Sequence, residues 1–108
     1  MQSNKLLLIG YVGNHLATKK FESGNKRVSL RMATHYQHKN EKGERIDHTV
    51  WHNIVAWNAT ADFAERSFVK GSRILVEGCI EYRTFPDKTG HLRYYTQIKA
   101  QSLMNLDR

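Results

Sequence analysis

Residues 49–57 read Thr49-Val50-Trp51-His52-Asn53-Ile54-Val55-Ala56-Trp57, and the fold depends on this stretch. It contains both tryptophans of the chain and no strand breaker, so its β-branched and aromatic content predicts the central strand of a sheet. Side chains alternate along a strand, which directs Val50, His52, Ile54 and Ala56 to a core and Trp51, Asn53, Val55 and Trp57 outward. The two outer indoles either pack under loops or a second subunit, or form a stacking platform for bases.

Length and charge narrow the possible functions. A chain of 108 residues with 40% hydrophobic content is expected to form a single domain over residues 1–108. Its net charge of +7 favours a polyanionic partner, and nucleic acid is preferred to a membrane because no basic amphipathic helix is visible. The alternative is that the charge serves solubility alone. A lone cysteine, Cys79, and the lack of a long apolar run make the cytoplasm the expected location.

Two further strands are predicted before the central one. Residues 6–9 form an unbroken apolar run, which needs cover on both faces and therefore indicates an oligomer whose interface includes Leu6 and Leu8. In residues 27–36, Val28, Leu30 and Met32 alternate with Arg27, Ser29 and Arg31. Arg31 is therefore expected on a solvent-facing, cationic side. The polar residues 37–46 that follow are predicted to be the tip of a long hairpin.

One helix and two strands follow the central strand. Asn58 is a suitable N-cap, and Ala61, Ala64 and Phe68 recur at helical spacing before Gly71, a suitable C′ residue. Residues 73–85 and 92–100 are predicted strands joined by a turn at residues 86–90. In the first of them Ile80 and Tyr82 are expected on the core side, and Arg83 and Phe85 on the outer side.

The predicted order is three strands, a helix and two strands. This order fits an all-β, five-stranded Greek-key barrel, the OB-fold, whose exposed face and loops bind single-stranded nucleic acid.

The chain also resembles the bacterial-type single-stranded DNA-binding proteins over residues 4–104. The resemblance is carried by the order and spacing of several short motifs: Asn4-Lys5 with the apolar run to Gly10 and Gly13, Ala33-Thr34, Thr49-Val50-Trp51-His52, Lys70-Gly71-Ser72, Val76-Glu77-Gly78, and Phe85-Pro86-Asp87-Lys88-Thr89-Gly90 before Arg93-Tyr94. The resemblance implies a homotetramer that binds single-stranded DNA without sequence preference, by base stacking and phosphate contacts, during replication, recombination or repair.

The same resemblance assigns roles to individual residues. It implies that Trp51, Trp57 and Phe85 stack on bases and that Lys70 and Arg83 are cations of the site. It places a further aromatic near the tip of the long hairpin, where Tyr36 and His38 are the candidates. It also implies that His52 lies near a subunit contact. The chain departs from the family pattern at four positions where a cation is usual: Asn53, Ala59, Glu81 and Thr84.

Three other functions are an enzyme, with or without a metal, and two roles of an OB-fold without catalysis. His35, His38, His48 and His52 together with Cys79 could supply a metal site, but their spacings match no zinc pattern, so neither a metal nor another cofactor is expected. The carboxylates offer no paired acid and base, which disfavours an enzyme. A primosome-type OB-fold adaptor and an OB-fold that binds only protein are the alternatives without catalysis.

The last residues of the sequence bear on the recruitment of other proteins. Relatives implied by the resemblance have a disordered tail with an acidic, apolar tip that recruits other proteins, whereas this chain stops at Asn105-Leu106-Asp107-Arg108. We therefore expect no recruitment of partners through an acidic tail.

Overall fold

The structure is a computed structural model that describes residues 3–107. Its strands are β1 (Leu6–Val12), β2 (Ala17–Lys20), β3 (Lys26–Lys39), β4 (Arg45–Trp57), β5 (Arg73–Pro86) and β6 (Leu92–Asn105), and the helix α1 (Asn58–Ser67) lies between β4 and β5. β1 pairs with both β3 and β5, β5 with β6, β6 with β4 in parallel, and β4 with β3. These pairings close a five-stranded barrel, so the predicted OB-fold is confirmed.

The chain bends sharply between β1 and β2, and the sequence did not reveal β2 as a strand. Both backbone groups of Arg31 on β3 form hydrogen bonds with the bend. Its carbonyl accepts from the N–H of Gly13 at 2.8 Å, and its N–H donates to Asn14 Oδ1 at 2.9 Å. Just before the bend, a Cβ on Gly10 would lie 2.1 Å from the carbonyl oxygen of Ala33. Only glycine therefore allows β1 to pass this close to β3.

The barrel interior follows the predicted alternation closely. Val28 and Met32 of β3, and Ile54 and Ala56 of β4, are almost fully buried. The other members of the core come from β1, α1, β5 and β6 and include Val12, Ala61, Ala64, Phe68, Ile74, Val76, Ile98 and Ala100. Val55 and Ala33 depart from this alternation because both are buried although they have outer-face parity, and Val50, predicted for the core, is 39% exposed on the projecting hairpin.

The helix boundaries differ from those predicted. Asn58 is the first helical residue rather than the N-cap, and its φ of 53° lies in the left-handed region, which asparagine tolerates better than most residues. Its side-chain oxygen accepts from the N–H of Lys26 at 3.0 Å instead of capping the helix. At the other end Phe68, which has an extended backbone, ends the helix. Gly71 lies beyond it, in a turn where its N–H donates to the Val12 carbonyl at 2.8 Å.

An ionic cluster attaches α1 to the start of β3. Lys26 Nζ pairs with Asp62 Oδ1 at 2.7 Å and also with Glu65 Oε1, and Thr18 donates to Glu65 Oε2 at 2.7 Å. Hydrogen bonding to Asp62, and then to Glu65, raises the pKa of Lys26, while the pKa values of both carboxyl groups are lowered chiefly by hydrogen bonding to Lys26. The two acidic groups of α1 thus share one lysine, which compensates part of their charge.

Two hairpins project beyond the barrel. The pairing of β1 with β5 ends at Gly78, and that of β4 with β6 begins at Ile54 and Ile98, so the far halves of β5 and β6 pair only with each other. The β3–β4 hairpin extends in the same manner through residues 34–50. The radius of gyration is 16.1 Å, against about 13 Å for a compact domain of this length, which agrees with two projecting arms. Within residues 3–107, no helix is long and apolar enough to span a bilayer.

Candidate nucleic-acid interface

The outer face of β3 and β4 carries the first part of the site. Cross-strand neighbours share a face, and the register places Arg27 opposite Trp57, Arg31 opposite Asn53 and Ala33 opposite Trp51. The parity predicted for both indoles is therefore observed, and Trp51 is 48% exposed. The outer face thus presents aromatic and guanidinium groups side by side.

Trp51 lies between Arg31 and the bend after β1. The Cζ of Arg31 lies 4.6 Å from the ring centroid, a cation–π contact. A Cβ on Gly13 would lie 2.2 Å from Trp51 Cζ3, so the ring occupies the space that any other residue at position 13 would fill. The indole is held in place before any ligand binds.

Trp57 is the last residue of β4 and is half-buried against a second aromatic ring. Phe21, for which the sequence gave no signal, stacks on it with ring centroids 5.7 Å apart and an interplanar angle of 30°. Arg27 Cζ lies 6.0 Å from the Trp57 ring, and Lys19 Nζ lies 5.0 Å from the Phe21 ring. The contact joins residues 36 positions apart in the sequence, so only the tertiary fold reveals it.

A cleft of about 720 Å³ separates β4 from the projecting part of β5 and β6. Its lining includes Asn53, Arg83, Phe85, Arg93 and Tyr95, and the rings of Phe85 and Tyr95 meet edge to face at 5.4 Å. Tyr95 and Arg93 were not among the predicted site residues. The alternation of β6 drew attention to the side of the strand that carries Tyr94. The register with β5 instead places Tyr95 opposite Arg83 and Arg93 opposite Phe85.

A second, smaller cleft continues the first one. Its lining shares Asn53 and Tyr95 with the larger cleft and adds Arg27, Arg31 and Gln97. We call the two together the outer groove. Among residues 3–107, Arg27, Arg31 and Arg83 have no carboxylate at ion-pair distance, so their charges are available to an anionic ligand.

The turn at the end of the β5–β6 hairpin is fixed by Asp87. Its Oδ1 accepts from the Thr89 hydroxyl at 2.7 Å, and its Oδ2 pairs with Arg93 Nε at 2.9 Å. The hydrogen bond from the Thr89 hydroxyl is the main cause that lowers the pKa of Asp87. Arg93 is therefore the one arginine of the outer groove whose charge is partly compensated by a neighbour in the described structure.

Tyr36 and His38 lie on the other face of the long hairpin. The register pairs Tyr36 with His48 and His38 with Ile46, which have the parity opposite to Trp51. Tyr36 stacks on His48 at 4.8 Å, and His48 Nε2 forms a 2.7 Å hydrogen bond with His38 Nδ1. The structure therefore does not bring these two candidates together with Trp51. Within the described residues, no three metal-ligating side chains cluster.

The apolar residues that β1 directs outward are not the ones predicted for a subunit contact. Leu6 and Leu8 pack against the barrel core, because their parity on β1 is that of Val12. The outward apolar residues of β1 are instead Leu7, Ile9 and Tyr11. His52 is half-buried, forms a 2.9 Å hydrogen bond with Thr34 Oγ1, and has a pKa lowered by burial.

Lys70 is exposed in the turn between α1 and β5. This turn is attached to the end of β1 by the hydrogen bond from Gly71 to Val12, close to the bend that supports Trp51.

Comparison with known proteins identifies the family. The model of the single-strand binding protein family matches residues 3–106. The chain belongs to this family. Its members are DNA-binding proteins rather than enzymes.

Two curated members of the single-strand binding protein family are similar over most of the chain. Single-stranded DNA-binding protein 1 of Chlorobaculum tepidum is 35% identical over 104 residues, covering 95% of this chain and 64% of that protein. The single-stranded DNA-binding protein of Bacteroides thetaiotaomicron is 36% identical over 105 residues, covering 95% and 65%. The chain thus spans somewhat less than two thirds of the length of these relatives.

Solved structures of the family share the fold. The Plasmodium falciparum protein in complex with single-stranded DNA superposes with a TM-score of 0.91 at 26% identity, covering 99% of this chain and 97% of that one. A deletion mutant of the single-stranded DNA-binding protein from Thermus aquaticus gives a TM-score of 0.85, covering 96% of this chain and 50% of that one. At 22% identity the second likeness concerns the fold alone.

Proposed function

We propose that this protein binds single-stranded DNA in the outer groove, by stacking bases on its aromatic rings and by pairing its arginines with phosphates. The observation that carries the proposal is the arrangement along one face: Trp51 under Arg31 at one end, Phe85 against Tyr95 at the other, and an open cleft between them. Every base has a π-face, so such a surface binds without sequence preference.

The chemistry of the groove favours a single strand over a duplex. Rings on a sheet can reach bases only where these are unstacked and unpaired, and Asn53 adds a neutral hydrogen-bonding side chain to the lining of the groove. The membership of the family and the structural likeness to a protein bound to single-stranded DNA support this reading. The role that follows is protection of single strands during replication, recombination or repair, in the cytoplasm.

We place Trp51, Trp57, Phe85, Arg83 and Arg31 in this interface. Lys70 contributes charge from the turn beside the bend, and Tyr36 and His38 contact a strand that passes over the far side of the long hairpin.

The direct test is a titration of poly(dT) while intrinsic tryptophan fluorescence is recorded at two salt concentrations. Stacking on the indoles should quench the emission, and higher salt should weaken binding. A duplex of the same sequence length is the matched ligand control. Equal affinity for duplex and single strand, or no quenching on binding, would contradict the proposal.

The assembly is proposed to be a homotetramer. The support is the outward strip of Leu7, Ile9 and Tyr11 on β1, since three large side chains exposed in a row need a partner surface. The measurement is solution mass by light scattering at micromolar concentration. His52→Tyr should weaken assembly, and a monomeric wild type would exclude the tetramer.

A further inference from the structure

The projecting part of β5 and β6, residues 80–86 and 92–98, forms a two-stranded ribbon with two different faces. The face toward the outer groove carries Arg83, Phe85, Arg93 and Tyr95. By strand alternation, and by the pairs Tyr82 with Thr96 and Thr84 with Tyr94, the opposite face carries another set. We call this set the reverse face: Ile80, Tyr82, Thr84, Pro86, Leu92, Tyr94 and Thr96.

The reverse face is far more exposed than a structural role requires. Tyr82 is 79% and Tyr94 is 74% exposed, compared with 45% and 38% for Phe85 and Tyr95 on the groove face. Leu92 adds a further exposed apolar side chain. Within residues 3–107, no ring contact involves Tyr82 or Tyr94. Large apolar side chains that are exposed together mark a binding surface.

The shape of the face suits a strand of nucleotides. The face is about 23 Å long but only two strands, roughly 10 Å, wide, whereas a stable protein interface usually covers a broad patch of about 800 Å² of accessible surface on each partner. A row of bases needs much less, because a single ring supports each base.

The chemistry of the face suits a nucleic-acid strand. Its seven positions include two phenol rings, two threonine hydroxyls and no carboxylate that would repel a phosphate. The turn that joins its two strands carries Lys88 and His91. Thr84 and Tyr94 of this face also line the larger cleft of the outer groove, so the two surfaces meet at this edge of the ribbon.

We propose that the reverse face is a second base-stacking surface, on which Tyr82 and Tyr94 receive bases of a strand that already fills the outer groove. The proposal rests on the proposed function. The ribbon is about 23 Å long, and stacked nucleotides are spaced by about 3.4 Å, so roughly seven nucleotides fill one side of it. Only a longer strand reaches both faces.

The test compares a short and a long oligonucleotide, about six and about thirty thymidylates. Tyr82→Thr removes the ring and places there a β-branched residue, which an exposed strand position accommodates well. We expect its affinity for the long oligomer to fall about fivefold to 150-fold, the range for one stacked base, while its affinity for the short one stays within about twofold. Tyr82→Phe is the matched control and should bind both like the wild type. Phe85→Thr, on the groove face, should weaken both.

Several results would overturn the proposal. These are an unchanged affinity of Tyr82→Thr for the long oligomer, an equal loss for both lengths, or a change in solution mass, which would indicate a protein contact instead. A wild type that binds neither oligomer would refute the proposed function itself, which is a different result. Nitration of the wild type provides a second measurement. Tyr82 should be protected by the long oligomer and not by the short one, and no protection of Tyr82 by either would exclude the surface.

Discussion

Replacing Trp51 by alanine tests the stacking contact at one end of the outer groove. A base stacked on an aromatic ring is worth about 1–3 kcal/mol by alanine substitution. In the free protein Arg31 already lies over this ring at 4.6 Å, and an exposed cation–π contact is worth about 0.5–1 kcal/mol. A base that takes the place of the guanidinium gains only the difference, and the midpoints of the two ranges give an expected net loss of about 1.2 kcal/mol. This corresponds to a roughly eightfold weaker affinity.

The assay is fluorescence anisotropy of a labelled thymidylate oligomer, because the substitution removes one of the two intrinsic tryptophan probes. Affinity is measured at several salt concentrations, and the slope of log affinity against log salt should change little, since no phosphate contact is lost. Trp51→Phe retains a ring and should recover most of the affinity. A loss below about twofold in Trp51→Ala, or a slope flattened as strongly as by loss of an arginine, would refute the assignment of Trp51 as a stacking residue.

Three further predictions concern charge, support and pH. Arg83→Ala should lower affinity and flatten the salt slope by about 0.7, the value for one phosphate on a single strand; an unchanged slope would remove Arg83 from the site. Gly13→Ala, in a Trp57→Phe background, should shift the Trp51 emission and weaken binding, because the added methyl would lie 2.2 Å from the ring; identical spectra would disprove that contact. Burial lowers the pKa of His52 below its ordinary 6.5, so the unfolded chain takes up the proton first as pH falls. Stability should therefore be greatest above about pH 6.5 and decline below it, and His52→Gln should show a smaller decline in melting temperature; equal declines in both proteins would contradict this cause.

The barrel was predictable from sequence because its signals are local. Val28, Leu30 and Met32 alternate without interruption, and Ile54 and Ala56 follow the same period, so parity alone identifies the core. The alternation ceases to indicate burial where β5 and β6 leave the barrel. Ile80 and Tyr82 continue the parity of the core side, yet no opposing layer of the barrel lies above them in the described structure. Sequence period specifies a face, whereas burial depends on where the neighbouring strands end.

The site was predictable where it lies on one strand. Trp51 and Trp57 have one parity because they are separated by an even number of residues, and this needs no knowledge of the partner strands. Tyr36 and His38 share the parity of Val28 and Met32, so alternation along β3 already directs them away from the face of Arg31. They were candidates because of the family resemblance and not because of this alternation. Phe21 was missed because its contact with Trp57 depends on the bend after β1.

The arginines of the outer groove predict that binding relies on base stacking more than on phosphate contacts. Four arginines line the outer groove: Arg27, Arg31, Arg83 and Arg93. Two of them lie over indole rings, and Arg93 is paired with Asp87, which leaves Arg83 as the least engaged cation. At about −0.7 per phosphate, the groove can contribute a salt slope no steeper than about −2.8, and less if the indoles retain their arginines. Asn53 lines the groove at a position where the family usually has a cation. Its side chain can form hydrogen bonds but, being neutral, adds nothing to the salt dependence of binding. A shallow salt dependence together with large losses on ring removal is therefore the signature that this arrangement of side chains produces.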